Sequence, residues 1–239
     1  MKSPILLACA LAMVAVGGTT AQPAEAVAAK ARDWTRVVSA TPAGGFVMGN
    51  PDAKVKLVEY GSLTCPHCRA FDAEGVPTLI GTYVKSGQVS WEFRNYVRDA
   101  FDISAALIAR CNGAASFFPL TRAIFKEQEG WEAKIAAFPE DKLKAVDSVP
   151  MNRRFVALAR IAGLQQLAAA HGLPVAKSNQ CLSNVAAVNR LAEMDNQAAK
   201  QFPDFVGTPT FLINGKLLDR TASWEALEPQ LKAALGRRG

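Results

Sequence analysis

Two cysteines separated by two residues, Cys65-Pro66-His67-Cys68, are the part of this chain best suited to chemistry. Thiols at that spacing can close into a reversible disulfide. The pair follows a mostly apolar run over residues 55–61 that reads as a buried strand, and it opens a stretch with helical character. A cysteine at a helix N-terminus faces unpaired N–H groups and the positive end of the macrodipole, which favours its thiolate. His67 lies between the thiols and, when protonated, would add a second stabilising charge. The thiolate is both the nucleophile and the better leaving group in thiol–disulfide exchange, so these neighbours set rate and redox poise together. Stabilising the reduced thiolate makes the disulfide form more oxidising. The motif therefore points to a donor of disulfides rather than a reductant.

Other uses of the pair fit less well. A structural zinc site needs four ligands, and the whole chain has only two histidines to add to this pair. Covalent haem attachment needs histidine directly after the second cysteine, where Arg69 stands. A static disulfide across so short a loop between strand and helix would be strained and reducible. No metal or cofactor is expected.

The elements that must hold the pair can be read from apolar spacing. Residues 55–60 form a central strand interrupted by one acid near its end, Glu59. The helix after Cys65 should stop near Gly75, and Pro77 suits the first turn of a second helix reaching about Lys85. Alternation over residues 89–94 argues for a half-buried strand. From 102 to 201 the pattern turns helical, with helices expected over 103–111, 117–127, 153–170, 174–182 and 184–201. The strand period returns at 210–213, and Asn214-Gly215 is a favoured pair for a tight hairpin turn into residues 216–218. Ser223 can cap a last helix carrying Trp224, Leu227, Leu231 and Leu235.

At its start the sequence has Lys2, an apolar run over residues 5–16 and then small residues, the pattern of a secretory signal peptide ending at Ala21. That run of 12 residues is too short to span a bilayer comfortably. Removing residues 1–21 takes away Lys2 and Cys9, leaves Cys65, Cys68, Cys111 and Cys181, and lowers the formal charge from +6 to +5. Four cysteines in an exported chain fit full pairing, with three possible connectivities. Residues 22–44 read as a flexible leader that includes short apolar pieces and a turn, with an edge strand expected between 35 and 50. The positive charge is dispersed, with no basic stripe interleaved with aromatics, so nucleic acid is not an expected partner.

A strand, Cys-Pro-His-Cys and a helix, followed much later by Gly207-Thr208-Pro209-Thr210 before a strand and hairpin, resemble the thioredoxin fold. More narrowly, the chain resembles the DsbA-type thiol oxidoreductases of the bacterial periplasm. The resemblance implies an α/β thioredoxin-like domain over residues 45–101 and 202–239, with an all-helical lobe inserted over 102–201. It implies that Cys65 is the exposed nucleophile and Cys68 the buried resolving thiol. Pro209 would be a cis proline facing the disulfide, with the Thr208 backbone exposed to pair with an extended client segment. Glu59 matches a buried acid that relays protons near the buried thiol, in competition with a strand-end carboxylate paired to a cation such as Arg94. Cys111 and Cys181, an extra pair relative to DsbA, are expected to join two helices of the lobe.

On this resemblance the chain is an exported, periplasmic and monomeric thiol:disulfide oxidoreductase. Its partners would be reduced, unfolded secreted proteins and a quinone-linked membrane reoxidase of DsbB type. A reductase or isomerase is the alternative within the enzymes, although residues 22–44 look too short for an isomerase's dimerisation module. A client-binding chaperone that uses the surface round the thiols is the alternative outside them.

Overall fold

The computed structural model describes residues 1, 32–203 and 207–236. The expected signal peptide, Met1 apart, and the first part of the leader lie outside the described residues. The described chain forms one unit from Arg32 onward, built on a six-stranded sheet.

In chain order the strands are β1 (Val38–Ala40), β2 (Phe46–Met48), β3 (Val55–Gly61), β4 (Val89–Asn95), β5 (Thr210–Ile213) and β6 (Lys216–Leu217). Across the sheet they run β1-β2-β4-β3-β5-β6. Only β3 and β4 are parallel; Val55 pairs with Val89 and Gly61 with Asn95, and every other neighbouring pair is antiparallel. β3 is bonded on both sides and buried along nearly its whole length, which explains its almost unbroken apolar sequence. The sheet also takes in Val38–Ala40, inside the segment assigned to the leader. Pairing of Ala40 with Phe46, whose ring stacks on Phe117, gives that short strand its reason to order.

Between β3 and β4 lie α1 (Pro66–Glu74) and α2 (Val76–Thr78), the latter continued by a π-helical stretch (Leu79–Val84). Between β4 and β5 come α3 (Ala100–Ala109), α4 (Ala114–Lys126), α5 (Gln128–Ala136), α6 (Glu140–Ala145), α7 (Met151–Ala162), α8 (Leu164–Ala170), α9 (Val175–Leu182) and α10 (Val185–Gln201). The single helix expected over 153–170 is broken because Gly163 takes a left-handed conformation, φ +72°, and ends α7. α5 and α6 were not anticipated. The hairpin turn is as expected, with both Asn214 and Gly215 at positive φ, and α11 (Trp224–Ala234) starts on a Ser223 cap.

One continuous core joins Leu57, Trp91, Phe93 and Phe211 of the sheet to Phe71 of α1 and to Phe117, Leu158, Leu182 and Leu191 of the inserted helices. The inserted segment therefore shares its hydrophobic interior with the sheet. Val58, Tyr60 and Leu212 pack with Ala198 of α10 in a smaller cluster.

Candidate active site

β3 ends at Gly61 and α1 begins at Pro66, so the thiols sit where the central strand hands over to a helix. Cys65 is the N-cap of α1 in extended conformation, and Pro66 occupies the first helical position, where its missing N–H removes nothing. This places Cys65 over the free amides of the first turn. Its thiol is lowered to about 5, first by the side chain of Cys68, then by Thr208 and by the backbone N–H groups of Cys68 and His67. Burial works in the opposite direction and is outweighed. In its thiol form Cys65 Sγ donates to the Thr208 carbonyl oxygen at 3.1 Å.

Cys65 is 3 % exposed and Cys68 is 0 % exposed, so the expected exposed nucleophile is in fact nearly covered. What distinguishes it is access: Cys65 lines an open cleft with Pro66, His67, Tyr96, Arg98, Gly207 and Thr208. Cys68 is raised well above the ordinary thiol value by burial, with the Cys65 thiol and the Glu59 carboxylate adding to the shift. Both cysteines are free thiols in this structure.

His67 is exposed at the cleft, and the group it directs at the Cys65 sulfur is its backbone N–H. Thr208 is half-buried, Pro209 is buried, and the peptide between them is cis. Glu59 is 1 % exposed and accepts a hydrogen bond on Oε2 from Trp91 Nε1 at 3.0 Å. Arg94, its candidate partner from sequence, instead grips Glu92 at 2.8 Å and donates to the Tyr60 hydroxyl at 2.9 Å. Burial holds the Glu59 carboxyl well above its usual range, with Asp72 and the Cys65 thiolate as nearby negative charges. Asp72, four residues after Cys68 on α1, is itself pushed up to about 6 by burial despite Arg122 at 3.7 Å. Cys111 and Cys181 are bonded to each other, away from the cleft.

Tyr96, Arg98, Asp102 and Gln128 were missed by sequence reasoning. The first two line the cleft, and the last two reach the loop before Cys65 through Ser62 and Leu63. No metal-binding cluster of three or more ligands occurs among the described residues.

The thiol pair at a strand–helix junction, opposite a proline loop, can now be compared with known proteins. The thioredoxin family model matches residues 41–233. The chain belongs to the thioredoxin family. A solved structure from Novosphingobium aromaticivorans, described as a protein-disulfide isomerase, is 36 % identical with a TM-score of 0.75, over 80 % of this chain and 97 % of that one. The alpha-DsbA1 of Wolbachia pipientis shares the fold, with a TM-score of 0.64 at 21 % identity over 83 % of this chain and 94 % of its own. A Rickettsia prowazekii relative, provisionally named a protein-disulfide oxidoreductase, is 28 % identical over 182 residues, covering 76 % of this chain. This thioredoxin-family chain spans only 58 % of that relative's length.

Proposed function

We propose that this protein is a thiol:disulfide oxidoreductase of DsbA type that gives disulfides to reduced client proteins through Cys65 and Cys68. The observation that carries this reading is the asymmetry of the pair, with a Cys65 thiol lowered to about 5 facing a cleft and a Cys68 thiol raised and buried beneath it. A stabilised Cys65 thiolate favours the reduced pair, which makes the oxidised pair a strong acceptor of electrons. Family membership and the 36 % identical solved neighbour support the class of chemistry.

In the donating direction a client thiolate attacks Sγ of Cys65 in the oxidised pair. The Cys65–Cys68 bond breaks, a mixed disulfide forms between client and Cys65, and Cys68 leaves as a thiolate. Glu59, whose proton affinity burial raises and whose charge reaches Cys68, is the proposed source of the proton that Cys68 then takes. A second client thiolate attacks the client sulfur and expels Cys65, a good leaving group because its thiolate is stable. The client has lost two electrons to form its disulfide, and the pair has gained them. Return to the oxidised form requires an acceptor, for which a quinone-linked membrane reoxidase of DsbB type is the proposed partner. The cleft lined by His67, Thr208, Tyr96 and Arg98 is the proposed client surface. The signal-peptide pattern supports a periplasmic location, and no described helix is long and apolar enough to cross a membrane.

The equilibrium of the pair with glutathione tests the direction. A potential well above that of thioredoxin, about −270 mV, is expected, approaching the roughly −120 mV of DsbA. A value at or below the thioredoxin figure would overturn the donor assignment. The description of the Novosphingobium protein keeps an isomerase reading in view. Reactivation of a client with wrongly paired disulfides, faster than oxidation of the same client when fully reduced, would favour it.

A further inference from the structure

Residues 62–65 link β3 to α1, and their polar groups are held from outside by side chains of the segment that follows β4. Asp102, in the first turn of α3 and 0 % exposed, accepts the Leu63 N–H on Oδ1 at 2.8 Å. Its Oδ2 accepts the Ser62 hydroxyl at 2.5 Å and the Arg98 N–H at 3.0 Å. Gln128, the first residue of α5 and 1 % exposed, donates Nε2 to the Leu63 carbonyl at 2.7 Å and to the Cys65 carbonyl at 3.3 Å. Asp99 accepts from the Thr64 hydroxyl at 2.9 Å, and Arg98 donates to the Thr64 carbonyl at 3.2 Å.

On its inner side the same loop touches the chemistry. The Ser62 N–H donates to Cys68 Sγ at 3.5 Å and favours that thiol's ionised form. A contact of that length is lost by a small displacement, because hydrogen bonds weaken steeply with distance and angle. Buried carboxyls are costly to ionise, and burial lifts Asp102 to about 7 even with three donors on it. A loop that only needed anchoring could use neutral groups, as Gln128 does from the other side. The carboxyl instead takes the peptide N–H of Leu63 and the hydroxyl of Ser62 together, fixing the peptide that follows the Ser62 N–H.

We propose that Asp102 is a positioning residue for the thiol pair, acting through Ser62 to hold the loop so that its N–H stays on Cys68 and Cys65 stays over the α1 amides. This rests on the reading of Cys65 and Cys68 as an exchanging pair, and it holds for either direction of exchange. The inserted helices thereby set the redox poise of a site to which they contribute no sulfur.

The test uses Asp102→Asn and Ser62→Ala, alone and together, in the full protein. The amide of Asp102→Asn puts a donor where one oxygen accepted, so it loses either the Leu63 N–H or the Arg98 N–H whichever way it turns, and in the second case the Ser62 hydroxyl must turn from donor to acceptor. Two quantities are read on folded protein, the pH profile of Cys65 alkylation by iodoacetamide and the equilibrium with glutathione. Asp102→Asn should move the equilibrium about three- to tenfold toward the oxidised pair, the worth of one net hydrogen bond, and shift the alkylation profile to higher pH. Ser62→Ala should move both the same way by less. The double variant should go no further than Asp102→Asn, because both act through one contact. A merely structural role would lower stability and leave both readouts at the parent values, and that result, or additive shifts, overturns the proposal. If Asp102→Asn does not fold, Ser62→Ala decides, since unchanged readouts there overturn it equally. A parent pair inert to glutathione would sink the exchange reading instead, and the alkylation profile would still judge Asp102.

Discussion

Glu59 is a carboxyl placed where water cannot reach it, and its consequences follow from that one fact. Burial raises its proton affinity, so the folded protein binds a proton that the unfolded chain has released above its ordinary value of 4.5. A group with a raised folded-state value helps stability fully below the unfolded value, and that help is lost as pH rises through the folded value. The parent should therefore lose stability, relative to Glu59→Gln, as pH climbs above 4.5. Gln can still accept the Trp91 N–H, so the packing is nearly preserved. The same variant cannot supply a proton, and release of Cys68 should slow about 100-fold at neutral pH, the scale of a general acid. Urea melts at several pH values, with single-turnover oxidation of a dithiol peptide, check both. Equal rates with a pH-independent stability difference would remove Glu59 from the proton path. The sequence shows this residue because an acid within an apolar strand, six residues before a cysteine pair, is a local anomaly. Asp102 and Gln128 offer no such signal, since their contacts to Leu63 span 39 and 65 residues and exist only once the helices have packed.

Among the elements, β3 governs the site, because its last residues set where α1 starts. Gly61 closes the strand in a space with no room for a side chain. A Cβ there would lie 2.5 Å from the Phe93 ring and 3.2 Å from Glu59 Oε1. The Phe93 ring is 1 % exposed and packs against Phe117 and Phe125, so it has nowhere to retreat. Gly61→Ala should cost about 1–3 kcal/mol, the range for overpacking a filled core, read as a lower urea midpoint. A parent-like midpoint would mean that the ring yields freely. β3, β4 and β5 were legible from their apolar runs and alternation, and Asn214-Gly215 marked the turn into β6, but where one edge strand was expected between 35 and 50 two form, β1 and β2. α5 was not, since among its nine residues only Gln128 and Trp131 are buried, leaving no apolar stripe to read. The break at Gly163 was missed because the apolar spacing continues across it while the backbone reverses its hand for one residue.

At the scale of the whole molecule, the inserted helices and the sheet share one core, so damage in one could be expected to reach the other. The Cys111–Cys181 disulfide tests how far it travels. It ties the loop after α3 to α9 and closes 70 residues of chain. The chain-entropy model gives a little over about 4 kcal/mol for a loop of that length, an upper figure, and removing such a link typically costs about 2–4 kcal/mol. Cys111→Ala with Cys181→Ala, which leaves no lone thiol behind, should lower the urea midpoint accordingly. The thiol pair should nevertheless keep its glutathione equilibrium within about twofold, since no hydrogen bond to residues 62–65 is lost and a twofold change is worth less than one net hydrogen bond. The reason lies in α3, where Ala105, Ala106, Leu107, Ile108 and Ala109 are all buried. Those contacts, independent of the disulfide at its far end, hold the N-terminal turn carrying Asp102 against the loop before Cys65. A shift of tenfold or more in the equilibrium, with the fold intact, would show that the disulfide and the thiol pair are coupled through α3. Mass mapping that finds both sulfurs free in air-exposed parent protein would remove the disulfide from the account altogether.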